Sequence, residues 1–366
     1  MKITVSVTND LLTDQRVHKV CSTLAQNNYE VVLVGRKLKA NTLPDRGYKT
    51  KRMRLLFRRS FLFYAEYNIR LFLYLLVTRT DAYLSNDTDT LPANFLASLI
   101  RRKPLIFDAH EMFPEAPEIV DRPIVKWVWT KIEDLIFPFL LNSYTVCQSI
   151  ADSYNNRYGI NMQVVRNIPS ASSSPATTER PIKAVGKKIL LYQGAVNEGR
   201  GLEYIIAAMN YLDKCVLYIV GDGDIVNELK KTVEKAHLDD KVFFTGRVPF
   251  EELPAYTRCA DIGINLLENR GLNYFYSLPN RLFDFIRANI PSLSSNFPEI
   301  RKIVLDYKIG ALADSLDPED LAENIRKMLA KRWPRPDFNR ANADLSWENE
   351  TQRLMNVVNL AFGNDV

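Results

Sequence analysis

The chain has 366 residues, too many for one typical domain and about right for two, and its 46% hydrophobic and 25% charged content has globular values, enough for a sizeable core or a pair of them. The formal net charge is only +5, but segment 36–59 holds ten Lys/Arg against the single acid Asp45, so the remainder is slightly acidic. The four cysteines, Cys21, Cys147, Cys215 and Cys259, lie far apart without a CxxC, which excludes a disulfide framework, argues against a metal site and reads as reduced, buried thiols in a cytoplasm.

The chain runs straight into a strand pattern, MKITVSVT, with no secretory leader expected. Strands are predicted at 2–8, 30–35, 82–85, 104–108, 144–147 and 163–166. Helices are predicted near 14–27, 60–78, 90–101, 123–141 and 149–157. Short apolar runs alternating with longer helical patterns indicate βαβ units and a parallel sheet. Stretch 61–77, FLFYAEYNIRLFLYLLV, is the most membrane-like. It contains Glu66, Asn68 and Arg70 and falls short of the roughly 20 apolar residues of a span, so it reads as a helix and not an anchor.

SASSSPATTERP, 170–181, has linker composition and marks a domain boundary. The alternation then restarts, with strands predicted at 188–193, 216–220, 242–244, 261–266 and 291–294. Helices are predicted near 201–211, 224–236, 250–258, 279–289, 318–330 and 346–362. The expected organisation is a first Rossmann-like domain over 1–169, a linker over 170–184 and a second Rossmann-like domain over 185–340. Helix 346–362 is expected to return to the first domain. Open parallel sheets bind ligands beyond the carboxyl ends of their strands, at the topological switch point, so a cleft between the two sheets is expected.

The candidate motifs follow strands. GAVNEGRGLEYI, from Gly194, is a glycine-rich turn with Arg200 beside a helix start, where free N–H groups and a cation suit an anion. It is neither a Walker loop nor GxGxxG, and a plain strand-to-helix turn is the alternative. VGDGD, 220–224, is a second such turn, and Asp224 is predicted to cap the following helix. In FFTGRVPFEEL the backbone around Gly246, Arg247 and Val248 is expected to be free to read a flat ring edge, with Pro249 keeping the loop open.

YSLPNRLFDF, 276–285, is odder. Ser277 or a neighbour is predicted as cap and Pro279 suits the first turn, yet Arg281 sits where the helix dipole disfavours a cation by about 0.3–1 kcal/mol. An Arg281–Asp284 surface pair is the plain reading. A bound diphosphate would explain the placement, because helix N–H groups and the guanidinium would converge on one anion. His110, in FDAHEMFPE, is one of three histidines and falls at a strand exit, with structural and functional readings both open; His18 and His237 read as helix-surface residues.

These motifs together make the chain resemble retaining glycosyltransferases of the GT-B fold, in the nucleotide-sugar-dependent family 4 group. The resemblance runs over nearly the whole chain and rests on YQGAVNEGRGLEYIIAAM, VGDGD, KVFFTGRVPFEELPAYTRCADIGINL and SLPNRLFDFIRANIPSLSSNFPEI, in that order; LLTDQRVHKVCSTL and FDAHEMFPE also look like this group. It implies two doubly wound domains whose sheets face a central cleft. It implies transfer of a sugar, with retention, from a UDP- or GDP-sugar to a glycan or lipid-linked acceptor in surface polysaccharide or glycolipid synthesis.

The resemblance also carries roles. Gly194 and Arg200 grip the donor diphosphate, and Ala195 replaces a family arginine, so Arg281 is expected to supply the missing cation, with Arg247 as runner-up. Ser277 and Asn280 belong to the same donor site. Of the family's two glutamates, Tyr276 stands in the first position and Asp284 in the second, where it can accept from ribose hydroxyls. The backbone of Gly246, Arg247 and Val248 reads the base, and His110 contacts the donor sugar. Asn9, Asp10 and Arg16 stand on the acceptor side, where Asn9 and Asp10 replace the usual Gly-Gly.

Catalysis is then assigned to His110, Arg200 and Arg281, with no protein nucleophile, no metal and no cofactor beyond the nucleotide sugar as substrate. Alternatives are a nucleotide-sugar 2-epimerase of the same fold and a non-catalytic nucleotide-sugar-binding subunit. The basic, aromatic segment 49–64, KTKRMRLLFRRSFLFY, reads either as a solvated loop or as a patch for anionic lipid, placing the protein in the cytoplasm or at the inner face of a membrane. No nucleic-acid module accompanies the charge.

Overall fold

The structure is a computed structural model, and it describes the chain except residues 12–13, 39–44, 170–181, 183, 185, 250 and 364–366, and the side chains of 117–118. Most of the expected linker at 170–184 therefore lies outside the described residues. The chain divides into two compact units. One comprises Met1–Asn167 with Glu350–Val366, and the other Ile168–Asn349.

The first unit runs β1 (Lys2–Asp10), α1 (Gln15–Gln26), β2 (Glu30–Arg36), β3 (Lys49–Met53), α2 (Ser60–Val77), β4 (Ala82–Asn86), α3 (Asp87–Arg101), β5 (Leu105–Ala109), α4 (Pro117–Val120), α5 (Pro123–Ile136), β6 (Asn142–Thr145), α6 (Gln148–Tyr158) and β7 (Gln163–Val164). Its seven strands are parallel in the order β3-β2-β1-β4-β5-β6-β7, with the switch between β1 and β4. Helices cover both faces, so β1 buries Ile3, Val5 and Val7 on one side and Thr4 and Ser6 on the other. The polar pair stays satisfied through Thr80 and Asn94. Asp14 caps α1 by accepting from the Val17 N–H at 3.0 Å.

The second unit runs β8 (Lys188–Gln193), α7 (Leu202–Ala208), β9 (Cys215–Val220), α8 (Val226–Lys235), β10 (Val242–Gly246), α9 (Leu253–Thr257), β11 (Ile262–Asn265), α10 (Leu272–Phe275), α11 (Asn280–Ala288), β12 (Ser292–Ser295), α12 (Pro298–Tyr307), β13 (Gly310–Ala313), α13 (Pro318–Ala330) and α14 (Arg335–Asp344). The sheet is parallel, in the order β10-β9-β8-β11-β12-β13, and switches between β8 and β11. Leu190, Tyr192, Leu217 and Ile219 pack beneath Leu202, Ile205, Leu229 and Ile325. Helix α15 (Trp347–Ala361) starts in the second unit, with the Trp347 N–H donating to Pro169 O. From Glu350 it belongs to the first, where Glu350 accepts from the Arg166 N–H and Asn359 from the Tyr29 hydroxyl.

Two strands escape the sequence pattern. KTKRM forms edge strand β3, whose charged side chains leave no apolar signal, and GALA forms β13, too short and small to register. Helix α12 also goes unpredicted, although Pro298 opens it and Ile300, Ile303 and Val304 mark a buried face. The described cysteines are free; three are buried and Cys259 is half-buried.

Candidate functional site

In the second unit, the carboxyl ends of β10, β9 and β8 bring together three loops that the sequence separates. The Gly194 N–H donates to Val220 O, the Val196 N–H to Asp222 O and the Gly221 N–H to Gly246 O, each at 3.0 Å. This stitching requires glycine at 221, because a Cβ there would stand 1.8 Å from Gly194 O and φ is +152°. It also corrects two expectations. Asp224 does not cap α8, whose N-cap is Ile225; the Asp224 N–H instead donates to Asn197 Oδ1. The Gly246 carbonyl is not free, since the Gly221 N–H and the Thr245 hydroxyl both use it; among the described residues no hydrogen bond engages the backbone of Arg247 or Val248. The Arg247 side chain is exposed.

At the β8/β11 switch, two arginines approach one another from either side. Arg200 ends the loop after β8 and lies over the Tyr274 ring at 4.8 Å. Arg281, second residue of α11, lies over the Tyr192 ring at 4.5 Å. Arg281 is only 7% exposed. Its Nη1 and the Nε of Arg200 are buried with no hydrogen-bond partner among the described residues. Burial above all, with the like charge of Arg200, holds the Arg281 pKa below its ordinary value, against the opposing influence of Tyr192. Buried cations normally sit against a carboxylate. Here aromatic faces cover them and leave N–H groups unspent.

The local sequence explains this. Pro279 is the N-cap of α11 and no side chain caps it. The predicted cap, Ser277, turns its hydroxyl back to Tyr274 O at 2.8 Å. Asn280, exposed, and Arg281 thus open an uncapped helix end. Asp284 is oriented by Gln193, whose Nε2 donates to it at 2.8 Å while its Oε1 accepts from the Thr257 hydroxyl. Half-buried Tyr276 closes α10. Tyr192, Tyr274 and Gln193 were missed in the sequence; their only signal was a place at a strand end or in the loop after β11.

In the first unit, His110 follows β5 and is held from both sides. Its Nδ1 faces Asp87 at 3.1 Å, and its Nε2 faces Asp108 and Asn86, each at 3.2 Å. Burial lowers its pKa, but the two carboxylates outweigh that and hold it well above the usual histidine range, so the ring is an imidazolium. Both ring N–H groups are therefore committed, and what His110 presents outward is charge. Asp108 is fully buried; despite desolvation, Arg16 and His110 bring its pKa down to about 2. Asp89, in the first turn of α3, is pushed up to about 8, chiefly by burial and Asp87, and accepts from the Thr8 hydroxyl.

The acceptor-side expectations fare unevenly. Arg16 is buried, grips Asp108 through Nε at 3.0 Å and Nη2 at 2.6 Å, and gives Nη1 to Val165 O. These contacts brace the strand end behind His110. Asp10 is buried and paired with Arg52 at 3.3 Å, which also removes Arg52 from the exposed basic patch. Asn9 donates to Asp14 and is exposed. Neither His18, hydrogen-bonded to the Tyr48 hydroxyl, nor His237, in the turn after α8, touches either cluster.

Comparison with known proteins agrees with this architecture. Residues 175–344 match the family of glycosyl transferases group 1. Over 160 residues the chain is 28% identical to alpha-monoglucosyldiacylglycerol synthase of Streptococcus pneumoniae, covering 42% of this chain and 33% of that protein. It is 23% identical to the uncharacterized glycosyltransferase MJ1069 of Methanocaldococcus jannaschii, covering 64% of this chain and 62% of that one. The chain thus spans between a third and just under two thirds of these relatives. Sucrose-phosphate synthase from Thermosynechococcus elongatus superposes with a TM-score of 0.80 at 15% identity, covering 99% of both chains. An Anabaena protein solved with UDP and glucose superposes with a TM-score of 0.75 at 12% identity, covering 98% of this chain and all of that one. The chain has the GT-B fold and resembles the glycosyltransferases of family 4.

Proposed function

We propose that the protein is a retaining glycosyltransferase that takes a sugar from a nucleoside-diphosphate sugar, UDP- or GDP-linked, and passes it to a glycan or lipid-linked acceptor. One observation carries the reading: Arg200 and Arg281 bring to a switch point buried N–H groups that have no hydrogen-bond partner among the described residues, where neither arginine is ion-paired to a carboxylate. A diphosphate has the charge and the acceptor oxygens to use those donors. Asp284, pre-oriented by Gln193, suits a ribose hydroxyl, and the Arg247–Val248 backbone suits a base edge. The Anabaena neighbour's complex with UDP and glucose supports a donor of this class.

In the proposed reaction the bond from the anomeric carbon to the diphosphate oxygen breaks as the acceptor oxygen bonds the same face. The acceptor proton passes to the departing phosphate. Arg200, Arg281 and the open end of α11 stabilise the negative charge that grows on the leaving group, so the protein supplies electrostatics and no nucleophile, metal or further cofactor. His110 is assigned the donor sugar and acts there as a fixed positive charge. The names of relatives, a glucosyldiacylglycerol synthase and phosphatidylinositol monomannoside mannosyltransferases of Mycobacterium tuberculosis, support a lipid-linked acceptor.

The test is a thermal-shift panel of UDP- and GDP-sugars, followed by transfer from the best donor to lipid-linked acceptors. A shift with one donor and a product of retained configuration is expected. Binding of no nucleotide sugar, or conversion of the donor to its C2 epimer without transfer, rejects the reading.

A further inference from the structure

Of the 24 large hydrophobic side chains exposed among the described residues, 17 fall within residues 56–141 and only four in the second unit. Thirteen of the 17 lie on α2, α3 and α5. The connections β3–β4, β4–β5 and β5–β6 all step across the sheet in one direction, so the right-handed crossover rule sets α2, α3 and α5 on one face. Tyr64 of α2 meets Trp129 of α5 edge-on, with centroids 5.1 Å apart.

Helix α2 is long and apolar enough to cross a membrane by length and composition, yet one stripe of it, Phe63, Tyr67, Leu71 and Leu75, is spent on the domain core. Its polar residues also serve the domain. Glu66 accepts from the Leu56 and Phe57 N–H groups and pairs with Arg70, and Asn68 accepts from the Ala93 N–H. The outward face is left apolar, with Leu73 57%, Val77 82% and, on α5, Trp127 61% exposed. Monomer surfaces rarely leave so much contiguous apolar area in water.

Beside the start of α2 lies a cavity of about 310 Å³ lined by Arg36, Lys37, Arg54, Arg58, Phe57 and Phe63, with no acid among the described residues of its wall. The Arg36 guanidinium stacks on Phe63 at 4.8 Å, and its Nε is buried without a hydrogen-bond partner among the described residues. Four cations facing one another destabilise the site unless an anion enters. Residues 56–62, LFRRSFL, are exposed throughout and carry apolar and basic side chains side by side.

We propose that the first unit docks on an anionic bilayer, with the outer face of α2, α3 and α5 in the interfacial layer and one phospholipid phosphate in the Arg36–Lys37–Arg54–Arg58 cavity. Charge complementarity selects this occupant. A second copy would set the same cations against each other. Nucleic acid would use the arginines but would gain nothing from Leu73, Val77 or Trp127. A lipid surface satisfies both, through apolar burial and through headgroup charge. The inference concerns binding alone and stands apart from the donor site.

The test uses the full chain without nucleotide, sedimented with vesicles of phosphatidylcholine alone or mixed equally with phosphatidylglycerol. Binding to the mixed vesicles and a blue shift of Trp127 fluorescence are expected, with the shift lost in Trp127→Phe. Arg54→Glu with Arg58→Glu should weaken partitioning at least about twenty-five-fold, taking each lost cation at about fivefold. Leu73→Ser with Val77→Ser should weaken it as well, at an unchanged thermal midpoint. Equal binding to both vesicle types, no binding, or self-association in place of binding overturns the proposal. So does a cavity that takes free glycerol phosphate while Arg54→Glu/Arg58→Glu leaves vesicle binding intact.

Discussion

Arg281→Ala is the most informative single change. The side chain is buried, has a free Nη1, covers Tyr192 and shares its surroundings with Arg200. If a diphosphate uses it, its removal deletes charge-assisted hydrogen bonds worth about 1.5–3 kcal/mol, an increase in Kd of about 10–150-fold for UDP or GDP. Turnover should fall further, by about 10²–10³, because charge on the leaving group is greatest in the transition state. The unliganded protein should respond in the opposite sense. Its cation is desolvated, sits beside another cation and gains no carboxylate, so truncation relieves a cost that offsets the lost packing on Tyr192. The thermal midpoint without ligand should hold or rise, while the ligand-induced increment collapses. Isothermal titration calorimetry and thermal unfolding of wild type, Arg281→Ala and Arg281→Lys separate these effects; the lysine variant keeps charge but loses the planar fork, and should fall between. A Kd within about threefold of wild type in the alanine variant refutes the reasoning. A large drop in unliganded stability does too, because it would make Arg281 a structural cation.

Three further outcomes follow from the same geometry. His110 has a folded-state pKa raised above its unfolded value, so its stabilising contribution is complete below about 6.5 and is lost as pH rises through the folded value. The stability gap between wild type and His110→Gln should therefore narrow from pH 6 to pH 10 in urea titrations, and a constant gap counts against an imidazolium. Arg16→Met leaves Asp108 buried without its bidentate partner and should cost about 3–5 kcal/mol at pH 7; a loss below about 1 kcal/mol in urea unfolding shows that Asp108 does not depend on it. Gly221→Ala drives a Cβ into Gly194 O, backbone against backbone, and should destabilise by about 1–3 kcal/mol and weaken nucleotide binding together; normal values for both would mean the loops can part.

The alternation of buried strands with amphipathic helices was legible because parallel strands covered on both faces read as apolar runs, as in KILLYQ and VLYIV. KTKRM was not legible, since an edge strand paired on one side only needs no apolar face. Within the candidate site, Arg281 could be singled out because a first-turn cation conflicts with a purely local rule. Its companions could not. Nothing local tells Tyr192 that it will lie under Arg281, or Gln193 that it will aim Asp284, because those meetings depend on β8 and β11 being neighbours. Arg16 shows the converse: the sequence placed it near the first loop, but only the pairing of β4 with β5 builds the Asp87–His110–Asp108 cluster that it braces.

By itself, the sequence determined the alternation of buried strands with amphipathic helices, the faces those elements bury, and which loops carry glycine, proline and unusual charge. These follow from dihedral preference and side-chain period, which act over a few residues. The tertiary structure alone decided which charges find partners. It neutralised Arg16 and Arg52 against buried carboxylates, left Arg200 and Arg281 with aromatic rings and spare N–H groups, and gathered the apolar flanks of α2, α3 and α5 into one exposed face. The physical reason is that a charge's state depends on every group within a few ångströms, and strand order, not sequence distance, sets that neighbourhood.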